Sequence, residues 1–226
     1  MQAICRNLQL PAVTKYHFLQ NIRDSRHETN PLMAISSHCN MTALDIIKKT
    51  SFYFGHDRNS SRLSFGEAFA LAGWYLPGRT VIITNLDIYF DPSLAELRRD
   101  RFLSHTTSYF LSRYEPNGAA LSLGTQCKMG NYLGSHDSFI IVPPIPSHLV
   151  KETMDLRLGT PGVENRLIHE FRRAGLCVYN PCLSIRSWHL HGSAVRTLGL
   201  PLANTMGRND VAHPRKLAKK NKDLME

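Results

Sequence analysis

The clearest hydrophobic signal in the chain is Val81-Ile82-Ile83-Thr84, a continuous apolar, β-branched run. Such a run predicts a strand buried on both faces, in the middle of an α/β sheet. A helix is predicted just before it, over 64–75, with Ser64 as N-cap and Glu67 completing a capping box. Pro77-Gly78 then turns the chain. The best-marked helix runs from about 161 to 174. Thr160 is placed to cap it, Pro161 suits its first turn, Val163, Leu167, Phe171 and Ala174 form one stripe, and Gly175 ends it. A short helix is expected at 43–49, and strands at 107–113, 119–123, 138–142, 176–179 and from Ile185 to His191. Strands mixed with helices in this order predict an α/β fold with a single central, mostly parallel sheet flanked by helices.

No internal repeat or low-complexity linker divides the 226 residues, which read as one domain over 1–207 and a basic tail over 208–226. A core of this size buries roughly 70% of the unfolded chain's surface, so folding needs no disulfide staples. The five cysteines are odd in number and show no two-residue spacing, so they read as reduced thiols used as apolar filler. Apolar runs such as Phe139 to Val142 fall far short of the ~20 residues of a membrane span. Met1 to Arg6 lacks the pattern of a secretory signal, which makes a cytoplasmic location the expectation. The net charge of +9 favours polyanionic partners such as nucleotides, nucleic acids or anionic membranes. Part of it lies in Arg215, Lys216, Lys219, Lys220 and Lys222, either a solvated terminus or a phosphate-contacting tail.

Four places carry candidate chemistry. Asn85-Leu86-Asp87 follows the apolar run directly, and residues two apart on an extended chain point the same way. Their oxygens suit Mg²⁺ or Mn²⁺, although a polar strand end with turn residues has the same composition. Asp91, four residues on, is placed to cap the segment that starts at Pro92. Glu164 lies in the first turn of the 161–174 helix, after a flexible Gly-containing stretch, where it is either a helix-dipole partner or a solvent-reachable carboxylate base. Asn165 and Arg166 beside it are able to hydrogen-bond a sugar or pair a phosphate. His189 and His191 share one face of a strand, a metal or phosphate pair or simple surface decoration. Ser135-His136-Asp137-Ser138 invites a hydrolase reading, but adjacent strand residues point apart and no Gly-x-Ser-x-Gly elbow is present. P-loop and Gly-x-Gly-x-x-Gly signatures are also missing.

In order, these segments resemble small GT-A-like glycosyltransferases. Residues 81–91 resemble their "IxNxDIYFD" segment, and Arg62-Leu63-Ser64-Phe65 resembles the arginine-containing lead into the preceding helix. Residues 109–115 are similar to "LSRW/YE", 135–140 to "SQDSWIF" with histidine and phenylalanine substituted, and 159–166 to "GxPGCDNR" with glutamate for aspartate. Asn180-Pro181-Cys182 and 185–191 are similar to the closing "NPS…IKTYHLH". The likeness covers about 60–193 and leaves 1–59 unmatched.

The resemblance implies a GT-A-like fold and a metal-dependent transfer, and it implies a role for each matching residue. Asp87 is the strong ligand and Asn85 the weaker one of the Asp-x-Asp motif, binding Mn²⁺ or Mg²⁺. His189 or His191 completes the metal or diphosphate site. Glu164 is the catalytic base of an inverting transfer, with Asp137 next in line, and Arg62 or Arg166 adds positive charge at the diphosphate. The donor would be a nucleotide sugar and the acceptor a glycan, a small molecule or a modified nucleic acid. The basic surface keeps a nucleic-acid-binding or DNA/RNA-modifying protein open as an alternative class. The asparagine at 85 keeps open a catalytically inactive relic of the fold.

Overall fold

A computed structural model describes residues 1–21, 31–55, 62–116, 127, 135–190 and 210–218. Their order is α1 (Gln2–Gln9), β1 (Tyr16–Asn21), α2 (Pro31–Cys39), α3 (Ala43–Lys49), β2 (Thr50–Gly55), α4 (Phe65–Tyr75), β3 (Val81–Thr84) and β4 (Ile88–Phe90). A 3₁₀ helix (Pro92–Arg98), β5 (Thr107–Leu111), β6 (Arg113–Tyr114), β7 (Ser138–Ile141), α5 (Ser147–Glu152), α6 (Val163–Arg173), β8 (Cys177–Tyr179) and β9 (Ser187–His189) follow.

The described strands form three sheets rather than one mostly parallel sheet. The largest has the order β3-β7-β5-β8. Its β3–β7 and β7–β5 pairs are antiparallel, and only β5–β8 is parallel. A second sheet has the order β4-β9-β6, and β1 pairs with β2 alone. The central pair of the large sheet is β5 and β7, and every residue of both is buried. Phe110, Phe139 and Ile141 face a core shared with Phe69 of α4 and Leu167 and Phe171 of α6. Tyr109, Leu111 and Ile140 face the opposite way, against Ile88, Phe90, Leu94 and Ile185. The 81–84 run does meet apolar clusters on both faces, through Val81 and Ile83 on one side and Ile82 on the other. It nevertheless stands at the edge of its sheet, where only Ile83 is fully buried. Continuous hydrophobicity reports faces covered, not neighbours paired, so it does not distinguish an edge from a centre.

The helix signals hold more closely. The Ser64 Oγ accepts from the Glu67 amide at 3.1 Å, and Glu67 Oε2 accepts from the Ser64 amide at 2.8 Å. Thr42 caps the helix at Ala43–Lys49, and Asp91 accepts from the Ser93 amide at the start of the 3₁₀ helix. Thr160 does not cap α6. Its carbonyl accepts from the Val163 amide, and the N-cap is Gly162 at φ 80°, a left-handed conformation that glycine adopts without strain. The strand expected at 119–123 and residue His191 lie outside the described residues.

The cysteines also depart from expectation. Cys5 bonds Cys39 and Cys127 bonds Cys182, while Cys177 is free and exposed. Partners 34 and 55 positions apart leave no local spacing to read. The first disulfide ties α1 to α2 inside a small core with Ile4, Leu8, Ile35 and Ile46. Asn7 anchors that unit to the rest, its amide donating to the Ile88 carbonyl and accepting from the Phe90 amide, both at 2.9 Å. A side chain here satisfies the edge of β4 as a neighbouring strand would. Within the basic C-terminal segment, residues 210–218 are bound to the body. Ala212 is buried, and Arg215 exchanges backbone hydrogen bonds with Asn180 and Leu183.

Two short crossings are among the passages of the chain between the large sheet and the β4-β9-β6 sheet. The chain leaves β5 at Leu111 and enters the second sheet at Arg113, with Ser112 fully buried between. Asn180 holds that joint, accepting from the Ser112 amide at 3.1 Å and donating to Ser112 Oγ at 2.7 Å and to the Ala212 carbonyl at 3.0 Å. The other crossing is Asn85 to Asp87, between β3 and β4.

Close packing makes a sharp demand on α4. A Cβ on Gly66 would lie 2.5 Å from both the Val150 carbonyl oxygen and Met154 Sδ. Gly66→Ala gains about 1 kcal/mol of helix propensity, but the backbone oxygen of α5 has little room to yield. The variant is expected to lose roughly 1–3 kcal/mol in net stability. Urea unfolding monitored by circular dichroism checks this, and an unchanged or raised midpoint would mean that α5 gives way freely.

Candidate functional site

The two sheet crossings deliver charged residues to one place. Asp87 lies just before β4, whose Ile88 pairs with His189 of β9. The Leu190 amide donates to the Asp87 carbonyl at 2.8 Å and locks that register. On the other side of β9, Arg113 pairs with Ser187 and Tyr114 with Trp188, which puts Glu115 in line with His189. Asp137 precedes β7, its amide bound to the Leu111 carbonyl and its carbonyl accepting from Thr84 Oγ1 at 2.8 Å. Strand pairing alone therefore brings positions 87, 113, 115, 137 and 189 together.

Their side chains form one ionic chain. His189 Nε2 donates to Asp87 Oδ2 at 3.0 Å, and Nδ1 lies 3.3 Å from Glu115 Oε1. Arg113 Nε donates to the same Glu115 oxygen at 2.8 Å, and its Nη1 spans both oxygens of Asp137 at 3.1 and 3.0 Å. Charges alternate along Asp87, His189, Glu115, Arg113 and Asp137. Burial works to lower the His189 pKa, but the hydrogen bond it donates to Asp87 and the charges of Asp87 and Glu115 prevail over burial and over Arg113, and the pKa is raised. The protonated ring donates at both nitrogens, which suits its two carboxylate neighbours. Burial pushes Asp137 up as well, with Arg113 opposing.

Glu164 enters from the first turn of α6. It is half-buried rather than freely solvent-reachable. Burial first, and then the charge of Asp137, push its carboxyl up to about 7, against its own backbone amide and Arg113. A group poised there exchanges protons near neutral pH, the property a general base requires. Arg62 reaches the loop that delivers α6, its Nη1 donating to the Gly159 carbonyl at 2.7 Å. Arg166 is buried and donates to Glu170 Oε1 at 2.6 Å, so its guanidinium serves the helix packing. Asn85 lies on the wall of a neighbouring cavity. His136 points away from Asp137 into the core, edge-on to Phe110 and bound to the Ala212 carbonyl, and burial lowers its pKa to about 4. A Ser-His-Asp arrangement does not form here.

Asp87 and His189 offer one carboxylate and one imidazole, and the Asp87 side chain is 48% exposed. Among the described residues no three histidine, cysteine, aspartate or glutamate side chains are grouped to hold a metal ion. A pair of this kind fits an ion that is completed by phosphate oxygens and water, the usual habit of Mg²⁺. Sequence reasoning passed over Arg113 and Glu115, although both stand within the segment 109–115 that drew notice for its likeness to a family motif. Two opposite charges two positions apart, at and just past the end of the strand predicted over 107–113, would share one face if the chain stayed extended, and were the available signal.

Arg113 neutralises two buried carboxylates, so its removal leaves them facing each other. Arg113→Met is expected to destabilise the protein by roughly 2–4 kcal/mol, the scale for breaking a mostly buried pair. The loss should be largest near pH 8 and smaller near pH 5, because without the guanidinium the folded state retains Asp137 better as a neutral acid. Glu164 has its own signature. Its folded pKa of about 7 lies above the ordinary 4.5, so the stability it lends is complete below 4.5 and is lost as pH rises through 7. Wild type should thus lose stability relative to Glu164→Gln between those values, and parallel pH profiles of the two in urea unfolding would contradict the assignment. Comparison of the chain with protein-family models, with curated proteins and with solved structures finds no match in any of the three.

Proposed function

We propose that the chain is a glycosyltransferase of GT-A type, transferring a sugar from a nucleotide-sugar donor to an acceptor hydroxyl with inversion. The observation that carries this reading is the convergence of Asp87, Asp137 and His189 on one ionic chain, with Glu164 beside it pushed up to a pKa of about 7 by burial and by the charge of Asp137. Residues picked out for their likeness to a transferase pattern thus meet although they lie as much as 102 positions apart.

Glu164 accepts the proton of the acceptor hydroxyl as its oxygen attacks the anomeric carbon. The bond from that carbon to the donor phosphate breaks with its electron pair, and the nucleoside diphosphate leaves. At pH 7 a carboxyl with a pKa near 7 is about half ionised, basic enough to take the proton as the new bond forms. Asp87 would hold a divalent ion, Mn²⁺ or Mg²⁺, joined by His189 once its Nε2 proton is displaced, and the ion would supply charge neutralisation on the leaving diphosphate. Arg113 and Glu115 keep the His189 ring and the Asp137 carboxylate in place. Arg62 fixes the loop from which α6 presents Glu164.

The test is release of nucleoside diphosphate from a panel of nucleotide sugars with Mn²⁺ and a broad set of acceptors. Glu164→Gln is expected to lower transfer by about 10²–10⁴ while donor affinity moves little. The kcat/KM of the wild type should rise with pH through about 7, and that limb should vanish in the variant. Asp87→Ala should abolish metal-dependent donor binding without unfolding the chain. Transfer at the wild-type rate by Glu164→Gln would reassign the base, with Asp137 next. Nucleotide binding by the wild type with no transfer to any acceptor would identify an inactive relic.

A further inference from the structure

A cavity of about 930 Å³ lies beside the outer edge of β3, apart from the ionic chain. Leu71 and Ala72 of α4, Val81 and Ile83 of β3, Phe18 of β1 and Leu94 of the 3₁₀ helix give it apolar walls. Its volume suits a ligand of ordinary small-molecule size. Three exposed cations, Lys15, Arg79 and Arg98, stand in its lining, whereas no aspartate or glutamate does among the described residues. Lys15 donates to the Lys48 carbonyl and Arg98 to the Pro11 carbonyl, so the partners shown for these two cations are neutral oxygens. An apolar interior with uncompensated positive charge in its lining is complementary to a molecule of the opposite design.

The end of α4 adds an independent observation. Trp74 is 75% exposed and Tyr75, which also lines the cavity, is 58% exposed. Large aromatics with a polar tip are favoured where an apolar phase meets water. The neighbouring turn carries Arg79, so aromatic surface and positive charge occur together near the cavity.

We propose that this cavity binds a single-chain amphiphile with an anionic head group. Its hydrocarbon chain lies between α4 and β3, and its phosphate or carboxylate meets Arg79 or Arg98, with Lys15 adding to the positive charge of the lining. Binding there requires no glycosyl transfer, so the assignment stands or falls apart from the catalytic reading. The apolar walls favour the chain, and the lack of lining carboxylates spares the head group any like-charge repulsion.

Isothermal titration calorimetry of the full chain tests it, with 1-palmitoyl lysophosphatidate below its critical micelle concentration as the probe. One saturable site per chain is expected. Uncharged 1-palmitoyl glycerol should bind about tenfold or more weakly, since it lacks the head-group charge. Inorganic phosphate should bind far more weakly still, because it has no chain to bury. Leu71→Trp, which fills the cavity, should abolish binding. The Arg79→Gln/Arg98→Gln double variant, altered only at exposed positions, should keep the wild-type unfolding midpoint and lose about tenfold in affinity. Equal binding of palmitoyl glycerol and lysophosphatidate, wild-type affinity in the double variant, or displacement of the lipid by uridine diphosphate would each overturn the proposal.

Discussion

A buried guanidinium cannot shed its charge, so whatever surrounds Arg113 must be arranged to neutralise it. Glu115 and Asp137 do so from two different strand ends, one oxygen of the first and both oxygens of the second. The requirement is mutual for Asp137, whose carboxyl burial pushes up while the cation opposes the push. Glu115 also faces the His189 ring, and Asp137 raises the pKa of Glu164. Burial is the larger influence on Asp137, His189 and Glu164, and a single fixed charge acts on all three beside it. The planar fork matters as much as the charge, since a lysine at this position has no rigid geometry with which to span two acceptors.

Arg113 reaches its place because the chain changes sheets one residue earlier. Ser112 is fully buried, and its backbone would be left unpaired by a strand that simply stopped. Asn180 closes that gap with both ends of its amide, and Ser187 Oγ donates to the Ser112 carbonyl at 3.2 Å. The same asparagine binds the Ala212 carbonyl, so the C-terminal segment is fastened at the joint that aims the arginine. Buried polar networks of this kind specify one arrangement only when every member is satisfied.

Much of this was legible in the sequence where the signal is local. The capping box at Ser64, the helix at 43–49, the Asp91 cap and the apolar centres of β5 and β7 all follow from spacing a few residues long. Asp87, Asp137, Glu164 and His189, singled out in the sequence, lie in one neighbourhood of the structure. Sheet order was not legible, because hydrophobic periodicity reports which faces are covered and not which strands are neighbours. The disulfides were missed for a related reason. Nothing in a cysteine's immediate neighbours tells which distant partner it will meet. Arg113 and Glu115 were passed over because a charge pair on a strand reads as solvated surface until the layer that covers it is known.

The sheet β4-β9-β6 has strands of only two or three residues, with β9 in the middle. Short ladders with few backbone hydrogen bonds belong to the low-energy end of local opening. Excursions of β9 away from its neighbours would part the imidazole from both of its carboxylates in one step, while the α4–α6 core beneath the large sheet stays closed. Asp87, His189, Arg113 and Glu115 therefore stand on or next to a layer of short ladders. A partial opening of that layer would disturb their arrangement without requiring global unfolding.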